Sequence, residues 1–171
     1  MFRRGLLVAV LLSCAAAVST AFNRDTEAVP GVKSVILKDV QPLFGGQNVY
    51  LKQDGSGIAQ LVAPRPTSPG LDERRFRLGP DPAVMLRIAE SVRDYKLFEM
   101  SLPDRAGLPN EAKTTISIEL TSGRSHRVSK WANDKHAGFE TIYQLLLRRA
   151  QESEPGELLY HGNYDPRWTP E

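Results

Sequence analysis

The residues of this chain best suited to hold a metal ion are its three histidines, His126, His136 and His161, with the carboxylate of Asp134 close by. No short ligand spacing such as His-x-x-x-His joins them, so only folding could gather His126, Asp134 and His136 into one site. Nucleophilic chemistry finds less material. The chain has no Gly-x-Ser-x-Gly elbow. Ser125 and His126 are neighbours in a strand-like run, where successive side chains point to opposite faces and cannot form a nucleophile–base pair. The same objection separates Asp72 from Glu73. Gly45-Gly46 and Gly55-Ser56-Gly57 precede or join strand-like runs and do not open a helix, which makes them turn residues and not a phosphate cradle.

Recognition chemistry is better supplied. Trp131, beside Lys130 and near Lys113, combines a large amphipathic ring with cations, as interface anchors do. The competing reading has Trp131 ending its strand beneath the Leu102–Ala112 loop or the C-terminal tail. Lys113, Lys130 and Trp131 are therefore the interaction candidates, and His126, Asp134 and His136 the metal candidates. No cofactor is indicated.

These residues lie in Lys113–Ala150, where period, turn chemistry and helix signals agree over the longest span. Ile116, Ile118 and Leu120 alternate with Thr115, Ser117 and Glu119, a half-buried strand. A two-residue turn at Ser122-Gly123 would place Val128 opposite Ser117 on the polar face. A three-residue loop, Thr121-Ser122-Gly123 with Gly123 left-handed, instead pairs Ile118 with His126 and Ile116 with Val128. The second register is preferred because it buries Val128. It puts His126 at the edge of the core and turns Trp131 to the other face. Asn133-Asp134 then caps a helix with the stripe Phe139, Ile142, Tyr143, Leu146 and Ala150.

Upstream, Val32–Val40, Asn48–Gln53, Ile58–Ala63 and Leu71–Leu78 read as strands. Glu73, Arg75 and Arg77 form a charged face on the fourth that is expected to meet water. Asp81-Pro82 starts a helix whose stripe is Val84, Ile88, Val92 and Tyr95. The predicted fold is α+β: an antiparallel sheet of about six strands with two helices on one face, in the order ββββαββα.

Residues 22–31 read as a linker, 32–150 as the domain, and 151–171 as a tail packed on it. Residues 1–21 carry the marks of an export signal: Arg3-Arg4, an uncharged apolar run from Gly5 to Val18, and small residues before Phe22. The run is short for a membrane span, which needs roughly 20 apolar residues. Leu11-Leu12-Ser13-Cys14 also fits a lipoprotein cleavage box. The leucine before Ser13 and the short preceding run favour an ordinary signal, with lipidation at Cys14 or an uncleaved signal as the routes to a membrane. Beyond Cys14 no cysteine follows, which excludes a disulfide framework or thiolate chemistry in the domain. The 22 Lys and Arg face 20 Asp and Glu, and loss of Arg3 and Arg4 with the signal leaves 20 against 20. A neutral domain lacks the basic footprint of a nucleic-acid binder.

The run Gly45-Gly46-x-x-Val49-Tyr50-x-x-x-Asp54-Gly55, a helix ending near Phe98, the Ile116–Val128 hairpin and a last helix together resemble small uncharacterised domains of exported bacterial proteins. The resemblance spans Val32–Ala150. It implies fold and location and brings no catalytic or binding residue. The expectation is an exported, non-enzymatic binding module for a protein or envelope component, located in the periplasm, envelope or medium. The alternative is a secreted hydrolase or metal-dependent enzyme with a site around His126 and His136.

Overall fold

A computed structural model describes residues 29–103, 105–153 and 156–170. The expected signal (residues 1–21), Cys14 and most of the expected linker lie outside the described residues. The rest is an α+β domain: one antiparallel seven-stranded sheet with two helices on one face. The strands are β1 (Val32–Gln41), β2 (Gly45–Lys52), β3 (Gly57–Pro64), β4 (Leu71–Leu78), β5 (Lys113–Leu120), β6 (Ser125–Trp131) and β7 (Leu158–Asn163). Their order across the sheet is β6-β5-β1-β2-β3-β4-β7. The expected six strands thus become seven. Leu158–Asn163, read as part of a packed tail, pairs with β4 at the sheet edge, Arg75 opposite Tyr160 and Asp72 opposite Asn163.

Helix α1 (Pro82–Asp94) starts as its sequence dictates: the Asp81 side chain accepts the Val84 N–H at 3.1 Å, and Pro82 fills the first turn without losing a hydrogen bond. Helix α2 (Ala137–Gln151) starts later than Asn133-Asp134 suggested, with His136 at the N-cap. Asp134 is drawn away to Arg105, which donates to it at 2.9 Å. Arg148 and Arg149 occupy the last turn of α2, where the helix dipole favours cations.

The core lies between helices and sheet. Val35 and Leu37 of β1, Leu51 of β2, and Ile116 and Ile118 of β5 meet Ile88 of α1 and Ile142 and Leu146 of α2, all fully buried. Each such side chain contributes about 1.5–3 kcal/mol by leaving water. The β5–β6 hairpin has the three-residue loop and the register that buries Val128. Ile116 faces Val128, Ile118 faces His126, and Gly123 closes the turn at φ +84°. Among the described residues no helix is long and apolar enough to cross a membrane.

Candidate binding site on the helix-free face

Because side chains alternate along a strand, every residue facing the helices has neighbours pointing the other way. On that second, helix-free face the register lines up Lys38 of β1, Asn48 of β2, Gln60 of β3, Arg75 of β4 and Tyr160 of β7. A parallel row holds Ile36, Tyr50, Ile58 and Arg77. In place of water, the C-terminal segment Tyr164–Pro170 covers part of these rows.

The charged face of β4 accordingly does not behave as expected. Glu73 is fully buried, with 0% of its surface exposed. It pairs with the Nε of Arg75, and its Oε2 accepts the Asp165 N–H at 2.9 Å. The Arg75 guanidinium carbon lies 4.3 Å from the Tyr160 ring centroid and 4.1 Å from that of Trp168. A buried carboxylate, a cation and two aromatic faces thus neutralise one another, which is the condition for keeping such charges out of water. Burial, and then the nearby Glu73 carboxylate, raise the Tyr164 phenol above its ordinary value.

Beside this cluster is a slot of about 130 Å³ between Ile36, Tyr50, Ile58 and Gln60 of the sheet and Trp168 and Pro170 of the tail. Its polar groups are ordered by a chain of hydrogen bonds. The Asp39 N–H donates to Asn48 Oδ1 at 2.9 Å, so the Asn48 Nδ2 must serve as donor. It donates to Gln60 Oε1 at 2.6 Å. Gln60 is 2% exposed, and its Nε2 has no partner among the described residues. A buried donor in that condition carries its full desolvation penalty. Lys38 stands exposed at the slot, and among the described residues no acidic side chain lines it.

The residues singled out from sequence lie elsewhere. Trp131 does turn to the helix-free face, at the far corner, and is half-buried beneath the loop before β5. Its Nε1 donates to the Arg105 carbonyl at 3.0 Å, Gly107 lies against the ring, and the Lys113 ammonium is 4.9 Å from the ring centroid. Glu111, its side chain 2% exposed, fixes this loop. It receives two bonds from Arg105, at 2.7 and 2.8 Å, and the N–H groups of Leu108 and Asn133. The Arg105 contact, helped by those two N–H groups, lowers its carboxyl from 4.5 to about 2.

Lys130 points the opposite way from Trp131. It is 7% exposed on the helix side, donating to the Asp134 carbonyl at 2.7 Å and pairing with Glu140 at 2.8 Å. Lys130 and Trp131 therefore share no surface.

His126 and His136 are likewise kept apart. His126, near the hairpin end of β6, stacks on Phe98 with centroids 5.4 Å apart. From His126 to Trp131 the strand advances roughly 16 Å, and Asp134 and His136 come after it. His161 pairs with Asp72 at 2.8 Å at the other edge of the sheet. Among the described residues, no three His, Cys, Asp or Glu side chains are grouped so as to hold a metal ion.

One further cluster lies at the N-terminal end of α2. Asp39 accepts from the Thr114 hydroxyl at 2.6 Å and the Tyr143 hydroxyl at 2.8 Å. Burial first, and Asp39 second, raise the Tyr143 phenol well above its ordinary value, so it stays protonated. One oxygen of Asp39 thus ties β1 to β5 and the other ties β1 to α2.

Sequence reasoning missed Glu73, Arg75, Gln60 and Trp168. A signal was present: Asn48, Gln60 and Arg75 fall at alternating positions of three successive strands, and the tail holds Tyr160, Tyr164 and Trp168. Comparison with protein-family models, with curated proteins and with solved structures gives no match.

Proposed function

We propose that this chain is an exported, non-enzymatic binding module that takes a segment of a protein or envelope component on its helix-free sheet face. The observation that carries the reading is the seating of the chain's own Tyr164–Pro170 segment there. Its backbone donates to Glu73, its indole covers Arg75, and a slot remains open alongside. The face thus already presents the two elements of segment recognition, buried hydrogen-bond partners and an aromatic-lined recess. Export is the part of the reading that rests on residues 1–21 and on the resemblance to domains of exported bacterial proteins.

A photo-crosslinking amino acid placed at Tyr50, beside the slot, tests the location of binding when compared with the same group at Leu108 on the opposite corner. Irradiation in the native cell should yield a discrete adduct from Tyr50 that is missing from Leu108. Equal adducts from both positions, or none from Tyr50, would overturn the reading. Terminal sequencing of the purified chain should give Phe22; a lipid-modified Cys14 would replace the soluble form by a tethered one, and an intact Met1 would remove export.

A further inference from the structure

The slot beside Trp168 is specific enough in chemistry to define what it accepts. Resting on the binding reading above, we propose that it is the anchor pocket for an acidic peptide segment. One apolar side chain of the ligand enters the slot, a ligand carbonyl accepts from Gln60, and a neighbouring carboxylate meets Lys38.

Three observations converge. The first is size: a slot of about 130 Å³ is close to the apolar cavities of about 150 Å³ that hold a benzene ring, and so suits one leucine- or phenylalanine-sized group. Its walls are Ile36, Tyr50, Ile58, Trp168 and Pro170. The second is the donor left over by the amide chain. Asp39 N–H fixes Asn48, Asn48 fixes Gln60, and the Gln60 Nε2, itself buried in the slot wall, remains unpartnered among the described residues, so an entering ligand must turn it outward to use it. Only an acceptor completes it, and a peptide carbonyl is the acceptor every ligand segment carries. The third is charge. Arg75 is neutralised by Glu73, while Lys38 lines the slot and, among the described residues, has no ion-pair partner and no Asp or Glu on the walls around it. A carboxylate is therefore the complementary group, and a basic segment is disfavoured.

The test uses the purified chain and three capped tripeptides: acetyl-Ala-Leu-Glu-amide, acetyl-Ala-Leu-Gln-amide and acetyl-Ala-Lys-Glu-amide. Proton–nitrogen correlation spectra follow the Gln60 side-chain amide and the Trp168 indole N–H. The Leu-Glu peptide should shift both resonances saturably. The Leu-Gln peptide should bind about three- to fivefold more weakly, the upper part of the range of one solvent-exposed charge pair, and the Lys-Glu peptide should leave both resonances in place. Lys38→Gln should erase the preference for Glu over Gln while keeping the Leu-Gln affinity. Gln60→Leu, which fills the site without a donor, should abolish the shift at the indole. Equal binding of the Glu and Gln peptides to the parent chain, or saturable shifts that spare Gln60, would overturn the acidic-anchor assignment. If a Tyr50 cross-link forms in cells and the Glu preference is missing, the ligand chemistry is wrong and the binding face stands. If neither peptide nor cross-link is found, both fall.

Discussion

The buried carboxylate of Glu73 accepts the backbone N–H of Asp165 at 2.9 Å, tying the C-terminal segment to a sheet face that has no helix over it. The same carboxylate pairs with Arg75. Replacing Glu73 by alanine would leave the Arg75 cation without its partner and the Asp165 N–H without its acceptor. Breaking a buried pair from one side costs about 3–5 kcal/mol. Denaturant unfolding of Glu73→Ala should show a loss of that size, while Glu73→Gln, which keeps an acceptor, should lose less. Equal losses for the two variants would mean that charge plays no part.

Trp168 closes the other side of Arg75. Its removal by Trp168→Ala should release the tail without opening the core, because it packs on Arg75 and the slot of the helix-free face. Hydrogen exchange at the backbone amides of Asp165 and of position 168 should accelerate while Val35 and Leu37 stay protected. The loss of global stability should be about 1–3 kcal/mol, the sum of ring burial and cation–π attraction. Unchanged exchange at Asp165 would show that Glu73 alone holds the tail.

Much of the fold was legible because its causes are local. The β5–β6 register followed from one requirement, that Val128 be buried, and Gly123 supplied the left-handed residue that the turn needs. Asp81-Pro82 likewise declared the start of α1. What was not legible depends on pairing between distant segments. β7 contains Gly162 and lacks a clean alternation, and it is a strand because β4 offers it an edge, more than eighty residues earlier in sequence. Glu73 and Arg75 looked solvated because nothing nearby in sequence announces that Trp168 will cover them. The opposed directions of Lys130 and Trp131 follow from strand geometry alone. Their surroundings, Glu140 for the one and Gly107 for the other, do not.

The loop over Trp131 should respond to a single methyl group. A Cβ at Gly107 would overlap the Trp131 ring, so Gly107→Ala must shift either the loop or the indole. Overpacking of this kind typically costs about 1–3 kcal/mol. Near-ultraviolet circular dichroism should lose the Trp131 contribution as stability falls, and an unaltered spectrum with full stability would show that the loop gives way freely.

Glu111 makes that loop sensitive to acid. Its carboxyl is held at about 2 in the folded chain against an ordinary 4.5, first by Arg105 and then by the Leu108 and Asn133 N–H groups. A depressed carboxyl contributes stability that is fully present above the unfolded value and is lost as pH falls through the folded one. The stability advantage of the parent chain over Glu111→Gln should therefore hold above pH 4.5 and shrink between 4.5 and about 2. Thermal unfolding across that range checks it; a constant difference would mean that the loop depends on the shape of Glu111 and not on its charge.

Tyr143 gives the opposite dependence at the alkaline end. Its phenol is raised from an ordinary value of 10.0 by burial and by the Asp39 carboxylate, so the unfolded chain releases this proton before the folded one does. A raised group contributes stability that is whole below the unfolded value and disappears as pH climbs through the folded one. The parent chain should thus lose stability progressively above pH 10, and Tyr143→Phe, with no proton to release, should lose less over the same interval. At neutral pH the order reverses. The phenylalanine variant deprives Asp39 of one of its two hydroxyl donors and should be less stable by about 1–3 kcal/mol, the usual range for a hydrogen bond to a charged group. The two curves must therefore converge as pH rises. Parallel curves would show that Tyr143 contributes by packing alone and that the Asp39 bond carries no energy of its own.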